Sequence, residues 1–546
     1  MPHPNRDVSQ PPRALPEQVD FLVVGSGFGG SVAALRLAEK GYSVLVLEAG
    51  RRWRPEDFPR SNWNVFKYLW APWLGCTGIQ RILLHRHFMA LAGAGVGGGS
   101  LVYAAVLMQP LDDFYRDPQW AHLDQDWKTT LAPHYAEARR MLGVAVTPRA
   151  WAGDRLLADY AASIGREAHF RPTEVGILFG ERPGERVPDP YFGGEGPERT
   201  TCDFSAACMV GCRGGGKNSL DKNYLYLAER RGARVAPGTL VTGIRPDGQG
   251  GYVVESKKSW GLWPGRRLWR AKNVVLAAGA LGTLELLWRC KEQAWLPYLS
   301  DALGRKFRTN SEVICGVESN RREVCYGEGV AIASYLQVAE HTSIELVRYN
   351  PGSDVMSALT VPLVPHGTWL TRPLKFLWNS LRDPLTLLRM KQPFGFARRA
   401  VILLVMQVLD NSLHMVPARP WWAPWRRVLR SRAPAGAPPS FIPEANAAAT
   451  AIARASGGTP ATAFSEVLLN RPLTAHLLGG CSMAADPDHG VVDRHGRVFG
   501  HEGLYVCDGA IVSANLGVNP SLTIAALAEH CMAAIPPKEG AATGGR

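Results

Sequence analysis

The glycine-rich stretch at residues 20–30, DFLVVGSGFGG, limits the fold of this chain more than any other feature. Residues 21–24 form an apolar run of the kind found in buried parallel strands. Gly25, Gly27 and Gly30 follow in G-x-G-x-x-G spacing, which permits a tight turn, close approach of the backbone to a pyrophosphate and close packing of the next helix. The pattern predicts a strand, a turn and a helix whose N-terminus can bind phosphate.

A second apolar strand is predicted at residues 43–47, directly before Glu48. The carboxylate of Glu48 can accept hydrogen bonds from the hydroxyl groups of a ribose. Strand, helix, strand and acid in this order predict a dinucleotide-binding βαβ unit. The motif alone does not distinguish NAD from FAD.

The composition is that of a globular protein. The 546 residues suffice for about two to four domains, and 46% are hydrophobic against 20% charged. No charge-free apolar run reaches the ~18 residues of a membrane-spanning helix, so none is expected. Residues 1–15 are polar and rich in proline and lack the apolar core of a secretory signal, which favours a disordered arm on a cytoplasmic protein. Ten cysteines in a chain of this length do not indicate a disulfide scaffold.

Positive charge is concentrated in residues 366–432, where twelve Lys or Arg and two Asp carry +10 of the total formal charge of +13. The same segment holds five tryptophans, namely Trp369, Trp378, Trp421, Trp422 and Trp425. Basic and aromatic residues together favour peripheral contact with an anionic membrane. A solvated basic face over an ordinary core is the alternative, and it stays open. No nucleic-acid partner is expected, because no binding motif accompanies the charge.

Two more segments resemble nucleotide-contacting elements. Residues 92–105, AGAGVGGGSLVYAA, form a second glycine-rich loop that can bring its backbone against a large ligand. Residues 273–287, NVVLAAGALGTLELL, predict a strand, a glycine turn and a helix. These elements lie far apart in sequence, so we predict a discontinuous cofactor-binding domain with a second domain inserted. The cofactor domain comprises residues 16–110, 205–305 and 470–540, and the substrate or cap domain comprises residues 111–204 and 306–469.

The motifs GSGFGG, GAGVGGGSL, VVLAAGALGT, HLLGGC and DGA…NLGVNPSLTIAALAE occur here in one order. Together they resemble the glucose–methanol–choline (GMC) oxidoreductase family, and within it the bacterial cholesterol oxidase branch. The resemblance covers most of residues 20–530 and is weakest between about 360 and 460. It implies an α/β protein in which a discontinuous Rossmann-like FAD-binding domain carries an α+β cap domain built on an antiparallel sheet. It also implies FAD, alcohol oxidation and a sterol-like substrate.

The resemblance assigns site residues. Its catalytic positions correspond to His476, Asn519 and Glu345, the last being the carboxylate associated with double-bond isomerisation. The implied FAD contacts are Gly25, Gly27, Phe28, Gly29, Gly30, Glu48, Gly93, Gly95, Gly98, Gly99, Ser100, Ala278, Gly279, Asp508, Gly509, Asn519 and Pro520. Tyr103 stands where the secreted cholesterol oxidases tend to have asparagine, which changes a polar group near the flavin.

The chemistry of an alcohol oxidation suits the catalytic residues. His476 offers a titratable nitrogen and Asn519 a fixed amide, so the two can orient a hydroxyl group and manage its proton. Asn519 precedes Pro520 and is predicted to cap a helix whose positive end faces the flavin. For Glu345 two possibilities stay open: an exposed strand carboxylate, or a buried carboxyl of raised pKa that shuttles a proton.

Cys202, Cys208 and Cys212 are predicted to be structural, because three thiolates are one short of a four-cysteine metal site. No metal is expected. The predicted reaction is oxidation of a 3β-hydroxysteroid or a similar bulky alcohol to the ketone, with O2 as acceptor and with 5-ene to 4-ene isomerisation if Glu345 is suitably placed. The alternatives are a dehydrogenase with a non-oxygen acceptor, a lipid-binding flavoprotein without turnover and, more remotely, an NAD-dependent dehydrogenase. The sequence leaves open the alcohol, the attachment of the flavin and the oligomeric state.

Overall fold

A computed structural model describes residues 15–540 except 121–122, 124–125, 262, 264, 393, 422 and 435. The predicted N-terminal arm at residues 1–15 therefore lies almost wholly outside the described residues, as does Trp422. Within the described part of the chain, no helix combines the length and the apolar character needed to traverse a bilayer.

The helices and strands follow one another along the whole described chain. The helices are α1 (Phe28–Glu39), α2 (Val65–Tyr68), α3 (Asp112–Arg116), α4 (Trp127–Met141), α5 (Ala152–Ser163), α6 (Tyr224–Arg230), α7 (Ala280–Glu292), α8 (Thr371–Arg382), α9 (Pro384–Met390), α10 (Phe396–Arg399), α11 (Pro443–Ser456), α12 (Phe464–Leu468) and α13 (Ser521–Ala533). The strands are β1 (Gln18–Val24), β2 (Val44–Glu48), β3 (Trp70–Ala71), β4 (Cys76–Thr77), β5 (Gln80–Leu84), β6 (Met89–Gly93), β7 (Ala145–Val146), β8 (Phe170–Pro172), β9 (Glu174–Val175), β10 (Arg186–Val187), β11 (Arg199–Thr200), β12 (Arg234–Pro237), β13 (Thr239–Pro246), β14 (Tyr252–Lys258), β15 (Arg266–Leu276), β16 (Val313–Ser319), β17 (Ile332–Ala339), β18 (Thr342–Val347), β19 (Thr360–Pro362), β20 (Ala400–Gln407), β21 (His414–Ala418), β22 (Val428–Arg432), β23 (Gly458–Ala463), β24 (Leu473–Thr474) and β25 (Leu504–Val506).

A mostly parallel sheet forms the first layer. Its parallel part has the spatial order β12-β2-β1-β15-β25, which in order of sequence is 3-2-1-4-5. This is the strand order of a Rossmann-type sheet, in which ligands bind beyond the carboxyl ends of the strands. The antiparallel strands β14 and β13 extend the sheet beside the first half of β15.

The second sheet is antiparallel, with the order β19-β23-β16-β20-β18-β17-β8. All its strands come from residues 170–463, between segments of the first sheet. The two sheets confirm the predicted fold class. The strand–turn–helix predicted at residues 273–287 is also confirmed, because β15 ends at Leu276 and α7 begins at Ala280.

The C-terminal helix α13 lies inside the first layer, against α1 and α4. Nearly every residue of α13 is buried, which explains why its sequence is apolar on all sides. Its one acidic residue, Glu529, accepts hydrogen bonds from Arg36 of α1 at 2.6 and 2.8 Å and from the hydroxyl group of Tyr224 at 2.7 Å. The end of the chain is thereby fixed to its beginning.

Candidate active site

One cavity of about 470 Å³ lies between the two sheets. Its first wall is formed where β1, β2, β15 and β25 end, and includes Glu48 and Ala278. Its opposite wall is apolar and comes largely from the antiparallel sheet, through Ile314, Ile332, Val347, Ile402 and Leu404. The predicted dinucleotide end and an apolar chamber therefore belong to the same cavity.

The turn between β1 and α1 has the backbone geometry that the glycine motif requires. Gly25 has a φ of +98°, and a side chain on Gly29 would collide with the carbonyl group of Cys507. A side chain on Gly30 would meet the carbonyl group of Gly25. A Cβ on Gly27, by contrast, would have no atom within 4 Å, because this residue faces the cavity. The turn thus leaves open space at the N-terminus of α1, where a pyrophosphate fits.

Glu48 lies at the end of β2 and lines the same wall. One carboxylate oxygen accepts hydrogen bonds from the Ser26 amide at 3.0 Å and the Ser26 hydroxyl group at 2.7 Å, and the other accepts from the Gly50 amide at 2.7 Å. Each carboxylate oxygen has more than one acceptor site, so these bonds leave capacity for a ribose. The ribose contact itself stays a prediction.

The second glycine loop packs directly on the first. A side chain on Gly98 would meet the Cα of Gly27 at 2.6 Å. Among the FAD contacts predicted in this loop, Gly93, Gly98 and Gly99 line the cavity. Gly95 and Ser100 do not line it, and neither does Gly30 of the first turn. Ser100 is fully buried, and its hydroxyl group donates to the Gly97 carbonyl at 2.7 Å and accepts from the Leu220 amide at 3.1 Å. These two hydrogen bonds stabilise the conformation of the second glycine loop.

Asp508, in the C-terminal DGA motif, is hydrogen-bonded to the glycine turn of residues 273–287. It accepts hydrogen bonds from the Gly279 amide at 2.9 Å, the Thr283 hydroxyl group at 2.6 Å and the Ala510 amide at 2.8 Å. Burial raises the pKa of Asp508 to about 6. Ala278, Gly279, Asp508 and Gly509 all line the cavity, as do Phe28, Asn519 and Pro520.

His476 lies at the boundary between the two walls, and its orientation is fixed by a carboxylate. Its Nδ1 atom is hydrogen-bonded to Oε1 of Glu312, which is fully buried. The other oxygen of Glu312 accepts from the Thr474 hydroxyl group at 2.7 Å and the Ala475 amide at 2.8 Å. Because the carboxylate accepts the proton of Nδ1, the lone pair is left on Nε2, toward Asn519.

Asn519 is placed beside His476, and its predicted role as a helix cap is wrong. Its Nδ2 atom lies 3.4 Å from Nε2 of His476, and its Oδ1 atom is buried with no hydrogen-bond partner among the described residues. Helix α13 begins at Ser521, preceded by Pro520, without a side-chain cap. The Asn519 amide is turned away from the helix end toward the histidine and the cavity, so it cannot also bond to the first turn.

Glu345 is fully buried on β18, so its interpretation as an exposed strand carboxylate is wrong. Neither carboxyl oxygen has a hydrogen-bond partner among the described residues. Burial raises the pKa of Glu345 to about 8, with a smaller contribution from Glu312, while the nearby Asn519 side chain opposes the shift. The carboxyl group is therefore mostly protonated at neutral pH. It does not line the cavity itself but interacts with Asn519, which does.

Two contributors to the site were missed by sequence reasoning. Glu312 directly precedes the apolar strand β16, and an acid at the edge of such a strand is the signal that could have indicated it. Lys217 is also fully buried, and its ammonium group donates to the carbonyl oxygens of Cys208 at 2.6 Å and Leu101 at 2.9 Å. It connects the second glycine loop to the cysteine-containing segment.

Cys202, Cys208 and Cys212 are buried free thiols in that segment. Burial raises the pKa of Cys208 to about 11, so this thiol stays protonated. Tyr103 lines the cavity. The centres of the Tyr103 and Phe28 rings lie 5.5 Å apart in an edge-to-face arrangement, and the Tyr103 hydroxyl group donates to the Asn218 carbonyl at 2.7 Å.

The fold and the cavity define a dinucleotide-dependent oxidoreductase. Comparison with known proteins identifies the family to which it belongs. Residues 426–528 match the family model for GMC oxidoreductases, and residues 23–54 match that for an NAD(P)-binding Rossmann-like domain. A cholesterol oxidase of Acinetobacter baumannii is 44% identical over 95% of this chain and 94% of its own. A cholesterol oxidase of Mycobacterium tuberculosis H37Rv is 46% identical over 95% of this chain and 91% of its own.

Solved structures show the same fold at low identity. Pyridoxine 4-oxidase from Mesorbium loti superposes with a TM-score of 0.62 at 15% identity, over 94% of this chain and 98% of its own. A formate oxidase of Aspergillus oryzae gives a TM-score of 0.60 at 13% identity, over 95% of this chain and 98% of its own.

The chain belongs to the GMC oxidoreductase family, together with the cholesterol oxidases. Its cofactor is FAD, which the glycine loops, the open space at Gly27 and Glu48 are suited to hold.

Proposed function

We propose that this enzyme oxidises the 3β-hydroxyl group of a sterol, or that of a similarly bulky secondary alcohol, to the ketone, with O2 as the final acceptor. The similarity to cholesterol oxidases over nearly the whole chain supports this substrate class. The observation that carries the proposal is the pairing of His476 with Asn519 at the edge of an apolar cavity. FAD, when bound, supplies the acceptor for a hydride.

The polar residues of the site manage the hydroxyl proton. The lone pair on Nε2 of His476 accepts it, and the buried carboxylate of Glu312 stabilises the positive charge that develops on the ring. The unpaired Oδ1 of Asn519 and its neighbouring Nδ2 offer an acceptor and a donor that orient the hydroxyl group. Glu312 acts through the histidine and is a positioning residue.

The apolar wall suits a rigid hydrocarbon substrate. Ile332, Val347, Ile402 and Leu404 present aliphatic side chains from neighbouring strands of the antiparallel sheet. A sterol that covers these side chains excludes water from the reacting centre and adds binding energy in proportion to the buried apolar area.

Isomerisation of the 5-ene ketone to the 4-ene ketone is a further part of the proposal. Glu345, in its ionised form, would take a proton from C4 and return it to C6, so that no net proton is consumed. Its raised pKa and its interaction with Asn519, which lines the cavity, support this role, because a desolvated carboxylate is a strong base.

Anaerobic mixing with a panel of sterols and other bulky alcohols tests the activity. We expect bleaching of the flavin absorbance by 3β-hydroxysteroids, and none with the His476→Ala variant. A flavoprotein that binds lipid without turnover would show no bleaching with any alcohol. Peroxide formed in air, compared with dye reduced without air, then separates an oxidase from a dehydrogenase that uses another acceptor.

We also propose the division into a cofactor domain and an inserted cap domain, and a cytoplasmic location with peripheral contact to a membrane. The strands of the two sheets fall within the segments predicted for the cofactor domain and the cap domain, which supports the division. All ten cysteines are free thiols, as is usual in the reducing cytoplasm. Peripheral contact of residues 366–432 with an anionic membrane is supported by their charge and by exposed tryptophans such as Trp421.

A further inference from the structure

Helix α8 has an inverted orientation: its apolar side faces solvent and its most polar side chain faces the protein. Leu374, Leu377, Trp378 and Leu381 are between 53% and 68% exposed. Arg372 is the buried residue of this helix, and its guanidinium group donates to the Ser440 carbonyl and to its hydroxyl group, at 3.0 and 2.9 Å. Packing against the protein therefore does not explain the apolar side of α8.

The short helix α9, which is in contact with α8, adds two exposed leucines, because Leu385 and Leu388 are also more than half exposed. We call the six side chains Leu374, Leu377, Trp378, Leu381, Leu385 and Leu388 the anchor face. Contiguous exposed apolar surface on a soluble domain marks a site of interaction with a partner or a membrane.

The charges around the anchor face indicate the kind of partner. Lys375, Arg382 and Arg389 lie on the same two helices, against the single acidic residue Asp383. The guanidinium group of Arg382 lies 4.5 Å from the centre of the Trp378 ring. Leucines and a tryptophan flanked by basic residues are typical of helices that lie in the interface of an anionic bilayer.

The anchor face is connected to the cavity by one short segment. Lys391, directly after α9, donates to the Thr360 carbonyl at 2.5 Å, at the end of the 3₁₀ helix Asp354–Leu359. Asp354, at the other end of that helix, accepts from the Ala397 amide at 2.7 Å. Met356, between these two attachments, lines the cavity.

We propose that α8 and α9 insert the anchor face into the interfacial region of an anionic lipid bilayer and place the Met356 side of the cavity next to the membrane. This rests on the proposed function for the meaning of the cavity, and it adds the surface through which a sterol would arrive. Insertion buries leucine side chains in hydrocarbon, while the basic side chains reach the phosphate groups.

Co-sedimentation of the FAD-loaded enzyme with vesicles tests the anchor. We expect stronger binding to phosphatidylcholine vesicles that contain phosphatidylglycerol than to phosphatidylcholine alone. The double variant Leu377→Asp/Leu381→Asp should weaken binding by at least about tenfold, because it removes two apolar side chains and adds negative charge. The matched control is Leu268→Asp, since Leu268 is 50% exposed but lies on β15, in the other layer.

Turnover of sterol in two forms completes the test. The double variant should lose turnover of sterol held in these vesicles and keep turnover of detergent-dispersed sterol and its flavin content. Vesicle binding by the double variant equal to that of the wild type would overturn the inference and leave the proposed function intact. Binding by the wild type without turnover of either form would contradict the proposed function and leave the anchor standing. A concentration-dependent dimer that the double variant abolishes, with no vesicle binding, would instead make this face a contact between two copies and refute the anchor.

Discussion

At the scale of single residues, the candidate active site contains two buried carboxyl groups with different surroundings. Glu312 is hydrogen-bonded by four groups, including His476, while Glu345 has no hydrogen-bond partner among the described residues. The pairing of His476 and Asn519 could be predicted because both lie in motifs of the family. Glu312 could not, since its role arises from the approach of residues 312 and 476, which are distant in the chain. The burial of Glu345 also depends on strands that pair only in the folded sheet.

We expect Glu312→Gln to reduce kcat about 10- to 100-fold and to move the acid limb of the kcat/KM–pH profile to lower pH. The reason is that a neutral amide can hold the His476 ring but does not stabilise the positive charge that forms on it. Stopped-flow flavin reduction across a pH series measures this. Glu318→Gln, the same change at a buried acid on β16, the strand that Glu312 directly precedes, is the control and should leave the profile in place. A normal profile for Glu312→Gln would show that the carboxylate is only structural.

Glu345→Gln should leave alcohol oxidation largely intact and abolish isomerisation, which the ultraviolet absorbance of the conjugated enone reports. In the wild type, the isomerisation rate should increase as the pH rises through about 8. The sign follows from the raised pKa, because the carboxylate is the base and forms only as the proton leaves at alkaline pH. Isomerisation by Glu345→Gln at the wild-type rate would exclude this role.

At the scale of elements, the glycine turn before α1 was predictable because its spacing encodes backbone geometry within one short segment. The start of α13 could not be predicted in the same way, because the Asn519 side chain is oriented by His476 and not by its neighbours in sequence. The inverted orientation of α8 was likewise hidden: the sequence shows an amphipathic pattern, but the pattern does not state which side faces the protein.

The glycine turn allows binding and packing to be separated by two similar variants. Gly27→Ala should leave the unfolding free energy of the apoprotein within about 0.5 kcal/mol of the wild type but weaken FAD binding at least about tenfold, because the added methyl group enters open space where the pyrophosphate fits. Gly29→Ala should destabilise the fold itself by about 1–3 kcal/mol, because its Cβ collides with the Cys507 carbonyl group. Urea unfolding and flavin titration measure the two effects, and equal behaviour of the variants would contradict this assignment.

At the scale of the whole molecule, the discontinuous organisation was predictable from the order of the motifs, whereas the way in which the ends are joined was not. Arg36 of α1 contacts Glu529 of α13 and Glu137 of α4, and Tyr224 of α6 donates to the same Glu529. Glu529 ends the C-terminal motif, but Arg36, Glu137 and Tyr224 lie outside the motifs, so only the packing of four helices brings the four residues together.

Glu529→Gln should lower the free energy of unfolding by about 2 kcal/mol, because it weakens the charged hydrogen bonds of the largely buried Arg36, which keeps only Glu39 and Glu137 as ionic partners. The control is Asp112→Asn, which breaks the exposed pair with Lys128 and should cost less than about 1 kcal/mol. Urea denaturation of both holoenzymes provides the comparison. Similar losses for the two variants would mean that the helix cluster does not fix the chain end.

The position of β25 and α13 also has a consequence for biosynthesis. Both elements belong to the first layer, yet the ribosome makes them after the whole antiparallel sheet. While residues 504–533 are still in the exit tunnel, β15 lacks its partner β25, α1 lacks one of the two helices that it packs against most closely, and the asparagine beside His476 is missing. The cofactor site is therefore complete only once residues 504–533 have left the exit tunnel and folded onto the layer that the earlier segments began.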